Sequence, residues 1–184
     1  MSTVKKIGGW QRLTVEEVYE NPWIKVTHEV VKTPSNTDGI YGVVHFKSRA
    51  VGILPIDDNG YTWLVKQSRY TLNEYTWEIP EGGAPLDEQP LMAAQRELRE
   101  ETGLSAKSWE PWLRLHLSNS VTDEEAIVYL ATELSSGEMQ LDATEDIEVS
   151  HLPLQQAIDM VINGEITDAI SVSTLLKASK LLTA

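Results

Sequence analysis

The order of its periodic segments predicts an α/β fold for this chain, a mixed sheet between helical layers preceded by a small antiparallel β unit. Two observations carry that expectation. Period-two segments come first, a strongly helical segment follows, and strands and helices then alternate to the end, which suits a sheet covered by helices. Leu13 to Phe46, in contrast, holds only strand signals around one turn cluster and reads as a unit of its own. With 184 residues, 41% of them hydrophobic, the chain can bury a sizeable core without staples. It has no Cys, which excludes disulfides, thiolate catalysis and Cys-bound metal.

In the first unit Ile24, Val26 and Val30 alternate with Lys25, Thr27 and Glu29, the pattern of a half-buried strand. The turn cluster Pro34 to Gly39 separates it from a second strand at Ile40 to Phe46. A sheet this small has little core of its own and must pack on the following domain or on a second copy of the chain. The boundary is expected after residue 46, giving an N-terminal β unit over 1–46 and a main domain over 47–184.

Ala50 to Ile56 and Tyr61 to Lys66 predict a hairpin around Asp57-Asp58-Asn59-Gly60. A calcium loop would need a bidentate Glu where Ser68 stands, so the cluster reads as a turn. A long connection, QSRYTLNEYTWEIPEGG, follows, and irregular segments of that length tend to be functional. Pro90 suits a first helical position and Gly103 a left-handed stop, predicting a helix from Pro90 to Thr102. Beyond it, Trp109 to Leu117 and Glu125 to Leu134 read as strands enclosing a polar loop, Ser118 to Glu124. Asp142 to Glu148 is acidic and expected to be exposed, and Val149 to Leu152 adds a short strand. A helix from Pro153 toward Asn163 ends at Gly164. A last amphipathic helix, Ile170 to Leu182, presents Val172, Leu175, Leu176 and Leu182.

The formal net charge of −13 repels nucleic-acid backbones and anionic lipid, so neither is expected as a partner. The N-terminus has no apolar signal region and no run approaches the roughly 20 residues of a membrane span, so a cytoplasmic protein is expected.

The predicted helix from Pro90 carries Glu97, Glu100 and Glu101 at i, i+3 and i+4, on one side of its surface. Like charges on neighbouring turns repel, so something positive is expected against them. Oxygen-only ligands suit a hard cation, Mg²⁺ first and Mn²⁺ second, and Gly82 and Gly83 let the preceding backbone turn closely around it.

Gly82, five residues, Glu88, seven residues, Arg96-Glu97-Leu98, one residue, Glu100-Glu101, one residue, Gly103-Leu104 resembles the Nudix box at every specified position. That resemblance implies an α/β/α sandwich over residues 47–184 and a metal-dependent hydrolase of phosphoanhydrides. It implies metal ligands at Glu97 and Glu101, with Glu100 contributing and the backbone carbonyl of Glu81 completing the set. Arg96 and Glu88 correspond to a pair that braces the loop against the helix.

Within the family, several segments look like those of ADP-ribose and nucleoside diphosphate sugar pyrophosphatases. SNSVTDEEAIVYLA is similar to the element that carries a TDE-like triplet and a general base, which places Glu124 in that role with Glu125 as competitor. The Pro-Gly that often precedes the triplet is missing. Lys66-Gln67-Ser68-Arg69-Tyr70 is similar to a VRQYR segment, with Lys66 and Ser68 departing from it, and gives Arg69 as a phosphate contact, the alternative being an ion pair with Glu74 or Glu78; Trp77-Glu78-Ile79-Pro80 resembles the approach to the box. The N-terminal unit resembles the accessory sheet through which those enzymes dimerise, and it offers Trp23 and Tyr41 as partners for a base. His28, His45, His116 and His151 show no metal spacing and receive no role.

The implied function is hydrolysis of the diphosphate of a nucleoside diphosphate sugar, ADP-ribose first, by a homodimer. Hydrolysis of dinucleoside polyphosphates or nucleoside triphosphates is the alternative within the enzyme class. A non-catalytic module that senses nucleotide sugars is the alternative outside it, disfavoured because every box carboxylate is present.

Overall fold

A computed structural model describes residues 4–139 and 146–182. Of the predicted acidic segment Asp142 to Glu148, residues 142–145 lie outside the described residues. The chain divides into two compact units, residues 1–48 with 116–124, and residues 49–115 with 125–184.

The first unit is built on an antiparallel sheet in the order β1 (Lys5–Ile7), β2 (Trp10–Glu20), β3 (Ile24–Lys32) and β4 (Asp38–Phe46). The predicted alternation in β3 is turned over. Thr27, Glu29 and Val31 are the buried positions and Val30 is exposed. Val30 and Val31 are adjacent, so the apolar pattern alone is consistent with either face. The register is decided by Glu29, which is buried because Arg12 on β2 donates to its carboxylate at 2.9 Å. Segment 116–124 belongs to this unit: Val44 N–H donates to the Val121 carbonyl at 2.9 Å, and Val44 bridges Thr122 in parallel.

The second unit contains β5 (Ser48–Pro55, from Arg49), β6 (Tyr61–Arg69), β7 (Glu74–Glu78), β8 (Glu81–Pro85), β9 (Leu104–His116, to Leu115), β10 (Glu125–Ser136) and β11 (Glu148–Pro153). Its helices are α1 (Pro90–Thr102), α2 (Leu154–Ile162) and α3 (Ala169–Ala178). The strands form two sheets, β8-β5-β10-β9 and β11-β6-β7, rather than one.

Consequently the predicted hairpin is only a turn. Asp57 Oδ1 accepts from the N–H groups of Asn59 and Tyr61, and Gly60 takes φ +77°, but beyond the Ile56–Thr62 bridge the two strands part. β5 pairs in parallel with β10 from Ala50–Ala126 to Pro55–Ala131, whereas β6 pairs with β7 and β11. The near-continuous burial of β5 from Val51 to Pro55 is what a strand packed on both faces requires.

The long connection is largely ordered strand. β6 runs on to Arg69 and turns back into β7 through residues 70–73, with Asn73 taking φ +55° where a glycine would be the usual signal. β9 begins five residues earlier than predicted. It is an edge strand, so Ser105, Lys107 and Pro111 are tolerated in it and dilute its apolar pattern.

Ala93, Ala94 and Leu98 of α1 pack into one core with Val51 and Ile53 of β5, Ala84 of β8 and Ala131 of β10. Short side chains bring helix and sheet close together, and this fixes the height of the helix over β8. The last helix is shorter than predicted. Its buried positions are Ile170, Ser171, Thr174, Leu175 and Ala178, while Leu176 and Leu182 are exposed.

Candidate active site

The box helix starts at Pro90 and stops where Gly103 enters the left-handed region at φ +71°, its N–H donating to the Arg99 carbonyl. Between those ends the three glutamates do not share one exposed face. Glu97 and Glu101, one turn apart, are buried at 7% and 2% exposure, and Glu100 is half-buried. Arg96 supplies the expected positive partner from the same helix. Its Nη1 donates to Glu97 at 2.8 Å and to Glu100 at 3.0 Å, and its Nη2 to the Gly83 carbonyl at 2.9 Å and to Glu88 at 3.4 Å. One guanidinium thus ties the loop after β8 to the helix.

β8 passes directly over these carboxylates. A Cβ on Gly82 would stand 2.1 Å from Glu97 Cδ, so only glycine lets that carboxylate lie against the backbone. The Glu81 N–H donates to Glu101 Oε2 at 3.0 Å. Upstream, the Pro80 carbonyl accepts from Ile53 N–H at 2.8 Å, and Ile79 N–H donates to Ser171 Oγ at 2.9 Å. Ser171 is itself held at the N-terminus of α3, where Asp168 Oδ2 caps its N–H at 2.7 Å. The backbone that presents Glu81 is therefore pinned from β5 and from α3.

A second arginine organises the other side of this strand. Arg69 donates through Nε to Glu78 at 2.9 Å and through Nη2 to both Glu78 and Glu81. Thr76 Oγ1 also donates to Glu78, whose exposure is only 2%. Burial, then the charges of Asp168 and Glu78, push the Glu81 carboxyl well above the ordinary range despite Arg69. Among the described residues Glu81 Oε2 is buried with no hydrogen-bond partner.

These donors fit a hard divalent cation in their chemistry: carboxylates of Glu97, Glu100 and Glu101, the Glu81 carbonyl, and a glycine that keeps the cradle open. Among the described residues no three His, Asp or Glu side chains already converge as a cage. Arg96 and the Glu81 amide hold the carboxylates instead.

The remaining predicted residues lie in the first unit. Trp23 is 71% exposed, at the end of the sheet where its carbonyl accepts from Lys47 N–H. Tyr41 faces Glu29 in the β3–β4 register, about 20 Å along the strand from the level of Trp23, so one chain does not bring the two rings together. Tyr41 instead meets Trp10 edge-on at 5.5 Å. The two rings, with Val31 and Val43, wall a cavity of about 280 Å³ that contains the Arg12–Glu29 pair. Glu124 is half-buried, its N–H donating to Thr122 Oγ1 at 3.1 Å. Burial, then neighbouring Asp123, raises its carboxyl above the ordinary 4.5. In the second unit Glu125 behaves oppositely: a hydrogen bond from Arg114 lowers its carboxyl, helped by Arg49 at 3.5 Å.

Ser171 and Trp10 escaped the sequence reading, and His45 received no role there. Glu78 was read as part of the approach to the box and as a possible ion-pair partner of Arg69, and the structure forms that pair. Ser171 and His45 act through partners 92 and 78 positions away.

Residues 46–170 match the NUDIX domain model, and residues 10–44 match the nucleoside diphosphate sugar hydrolase N-terminal domain. The chain belongs to the Nudix family. It is 37% identical to an ADP-ribose pyrophosphatase of Mycobacterium tuberculosis over 73% of this chain, and spans 65% of that protein's length. An ADP-ribose pyrophosphatase of Bacillus subtilis is 34% identical, with 84% of each chain covered. Among solved structures, the crystal structure of an ADP compounds hydrolase superposes on the whole chain and on 97% of its own, with a TM-score of 0.84 at 22% identity. That likeness establishes the fold, and the family makes this Nudix protein a hydrolase.

Proposed function

We propose that this Nudix hydrolase cleaves the diphosphate of a nucleoside diphosphate sugar, ADP-ribose first, to a nucleoside monophosphate and a sugar phosphate. One observation carries most weight. The box glutamates are held beneath a strand that only Gly82 allows to approach, in a chain whose residues 10–44 match the nucleoside diphosphate sugar hydrolase N-terminal domain. The names of the two bacterial relatives support the same substrate class.

In this proposal Glu97, Glu100 and Glu101, with the Glu81 carbonyl, hold Mg²⁺, or Mn²⁺ in its place. The bound ion would neutralise the diphosphate oxygens and the leaving phosphate. Arg96 and Glu88 hold the loop that presents Glu81. Arg69 keeps Glu78 and Glu81 in place, and its Nη1, which takes up no hydrogen bond among the described residues, is left for a phosphate oxygen.

Glu124 takes the proton of the attacking water. Its raised carboxyl is closer to what a base working near neutral pH needs than that of Glu125, which Arg114 holds ionised. Trp23 and Tyr41 contact the base, and because they stand far apart along one sheet, Trp23 completes the pocket of a second copy in a homodimer. The Trp23 ring, 71% exposed in one chain, is open to such a partner.

Chromatographic product analysis on nucleoside diphosphate sugars, dinucleoside polyphosphates and triphosphates with Mg²⁺ tests the substrate class. AMP and ribose 5-phosphate from ADP-ribose are expected as the fastest products. Faster release of pyrophosphate from triphosphates would overturn the proposal. Light scattering at assay concentrations checks the dimer, for which twice the chain mass is expected.

A further inference from the structure

Segment 118–124 is not an open loop decorated with acids. It is laid along β4 by five contacts. Val44 N–H donates to the Val121 carbonyl, Tyr41 Oη donates to the Ser120 carbonyl at 2.8 Å, and Asp123 N–H approaches the Val44 carbonyl at 3.4 Å. The other two are made by one side chain. Asp123 Oδ1 accepts from Phe46 N–H at 3.1 Å while Oδ2 pairs with His45 Nδ1 at 2.5 Å.

His45 is held in turn from behind. Its Nε2 lies 3.3 Å from Thr27 Oγ1, and Thr27 contacts the buried Glu29 that Arg12 neutralises. Lys25 is its cross-strand neighbour in the ladder. An imidazole caught between a carboxylate and a buried polar chain has both nitrogens engaged, so its ring orientation is fixed. The Asp123 that it grips immediately precedes Glu124.

We infer that the His45–Asp123 pair is a latch through which the N-terminal sheet positions Glu124, making His45 a positioning residue for the hydrolysis. This rests on the proposal that Glu124 is the general base. Misplacing a reacting group by about 1 Å can cost up to about 100-fold in rate, and a latch next to the base has that leverage. The role of the accessory sheet then extends to the chemical step, since β3 and β4 supply the groups that hold the loop.

Two substitutions separate the nitrogens of the ring. His45→Asn keeps an amide nitrogen near the place of Nδ1 and so keeps a donor for Asp123. His45→Gln places its amide near Nε2, keeps Thr27 and loses Asp123. In full-length protein with Mg²⁺ and ADP-ribose, His45→Gln is expected to lower kcat about tenfold with KM within about twofold, and His45→Asn to restore most of it. In a Glu124→Gln background, already slowed, His45→Gln is expected to cause no further loss, because it acts through a base no longer present.

Unchanged kcat in His45→Gln, or an equal fold-loss with and without Glu124, would overturn the latch. A rise in KM alone would overturn it too, by moving His45 to substrate binding. Full activity of Glu124→Gln itself is a different result, which removes the base assignment and the latch's role together.

Discussion

Arg69 and Arg96 both gather several glutamates within the second unit, but under opposite conditions. Arg96 is a partly exposed brace on a helix, and its partners include the half-buried Glu88 and Glu100. Arg69 is a strut between β6 and β7 whose partner Glu78 is almost wholly buried and also accepts from Thr76. Of the proposed ligands, Glu100 is half-buried and held by the first, and it can be released to a metal at little cost, since exposed pairs are worth about 1 kcal/mol or less. Releasing a carboxylate held by the second would leave a buried charge uncompensated, which costs several times more. The same contrast separates Glu124 from Glu125, neighbours of which only the second is committed to arginines.

The largest effect is expected at Glu101, which the Glu81 N–H holds. Glu101→Gln keeps the shape of a buried side chain but removes a ligand charge, and a bound cation contributes several kcal/mol to the transition state. Turnover should fall about 1,000-fold or more, with circular dichroism unchanged. Full activity in the folded variant would remove Glu101 from the metal site.

Next comes the pair of neighbours. Glu124→Gln should lower kcat about 100-fold, while Glu125→Gln changes it little. The sign of the pH effect follows from the ionised form being the base. Activity is retained above the raised pKa of Glu124 and is lost as pH falls through it toward 4.5. That acid limb should vanish from the residual rate of Glu124→Gln, and its persistence would assign the limb to another group.

Arg69→Met then probes the strut. Leaving buried Glu78 unpaired should cost about 3 kcal/mol in denaturant unfolding. Arg96→Ala should cost less, about 2 kcal/mol, because only one of its three glutamate partners, Glu97, is buried, while raising the Mg²⁺ needed for half-maximal rate about tenfold. Equal destabilisation by the two substitutions would erase the distinction between brace and strut.

The helix and its cap were legible because Pro90 and Gly103 act locally, and the box because its spacing is fixed along one chain segment. The Arg96–Glu88 brace came with the box by resemblance. Other features depended on contacts distant in sequence. That Glu97 and Glu101 are buried follows from β8 crossing over them, which helix periodicity does not encode. The face of β3 is chosen by Glu29 meeting Arg12, where its own apolar pattern is consistent with either face. β5 and β6 leave their shared turn for different sheets because β10 and β11, far downstream, claim them. The anchoring of segment 118–124 is shared among Tyr41, Val44, Phe46 and His45, the last a residue without any motif.

Metal titration of ADP-ribose cleavage bears most directly on the central claim that the box carboxylates, held by Arg96 and by the Glu81 amide, are given over to a cation. The protein would be stripped with EDTA, assayed by chromatography, and then supplied with Mg²⁺ in steps, alongside Glu101→Gln. Expected are no AMP in EDTA, saturable recovery of AMP and ribose 5-phosphate with Mg²⁺, and no comparable recovery in the variant. Undiminished cleavage in EDTA, or equal recovery with Glu101 replaced, would contradict it.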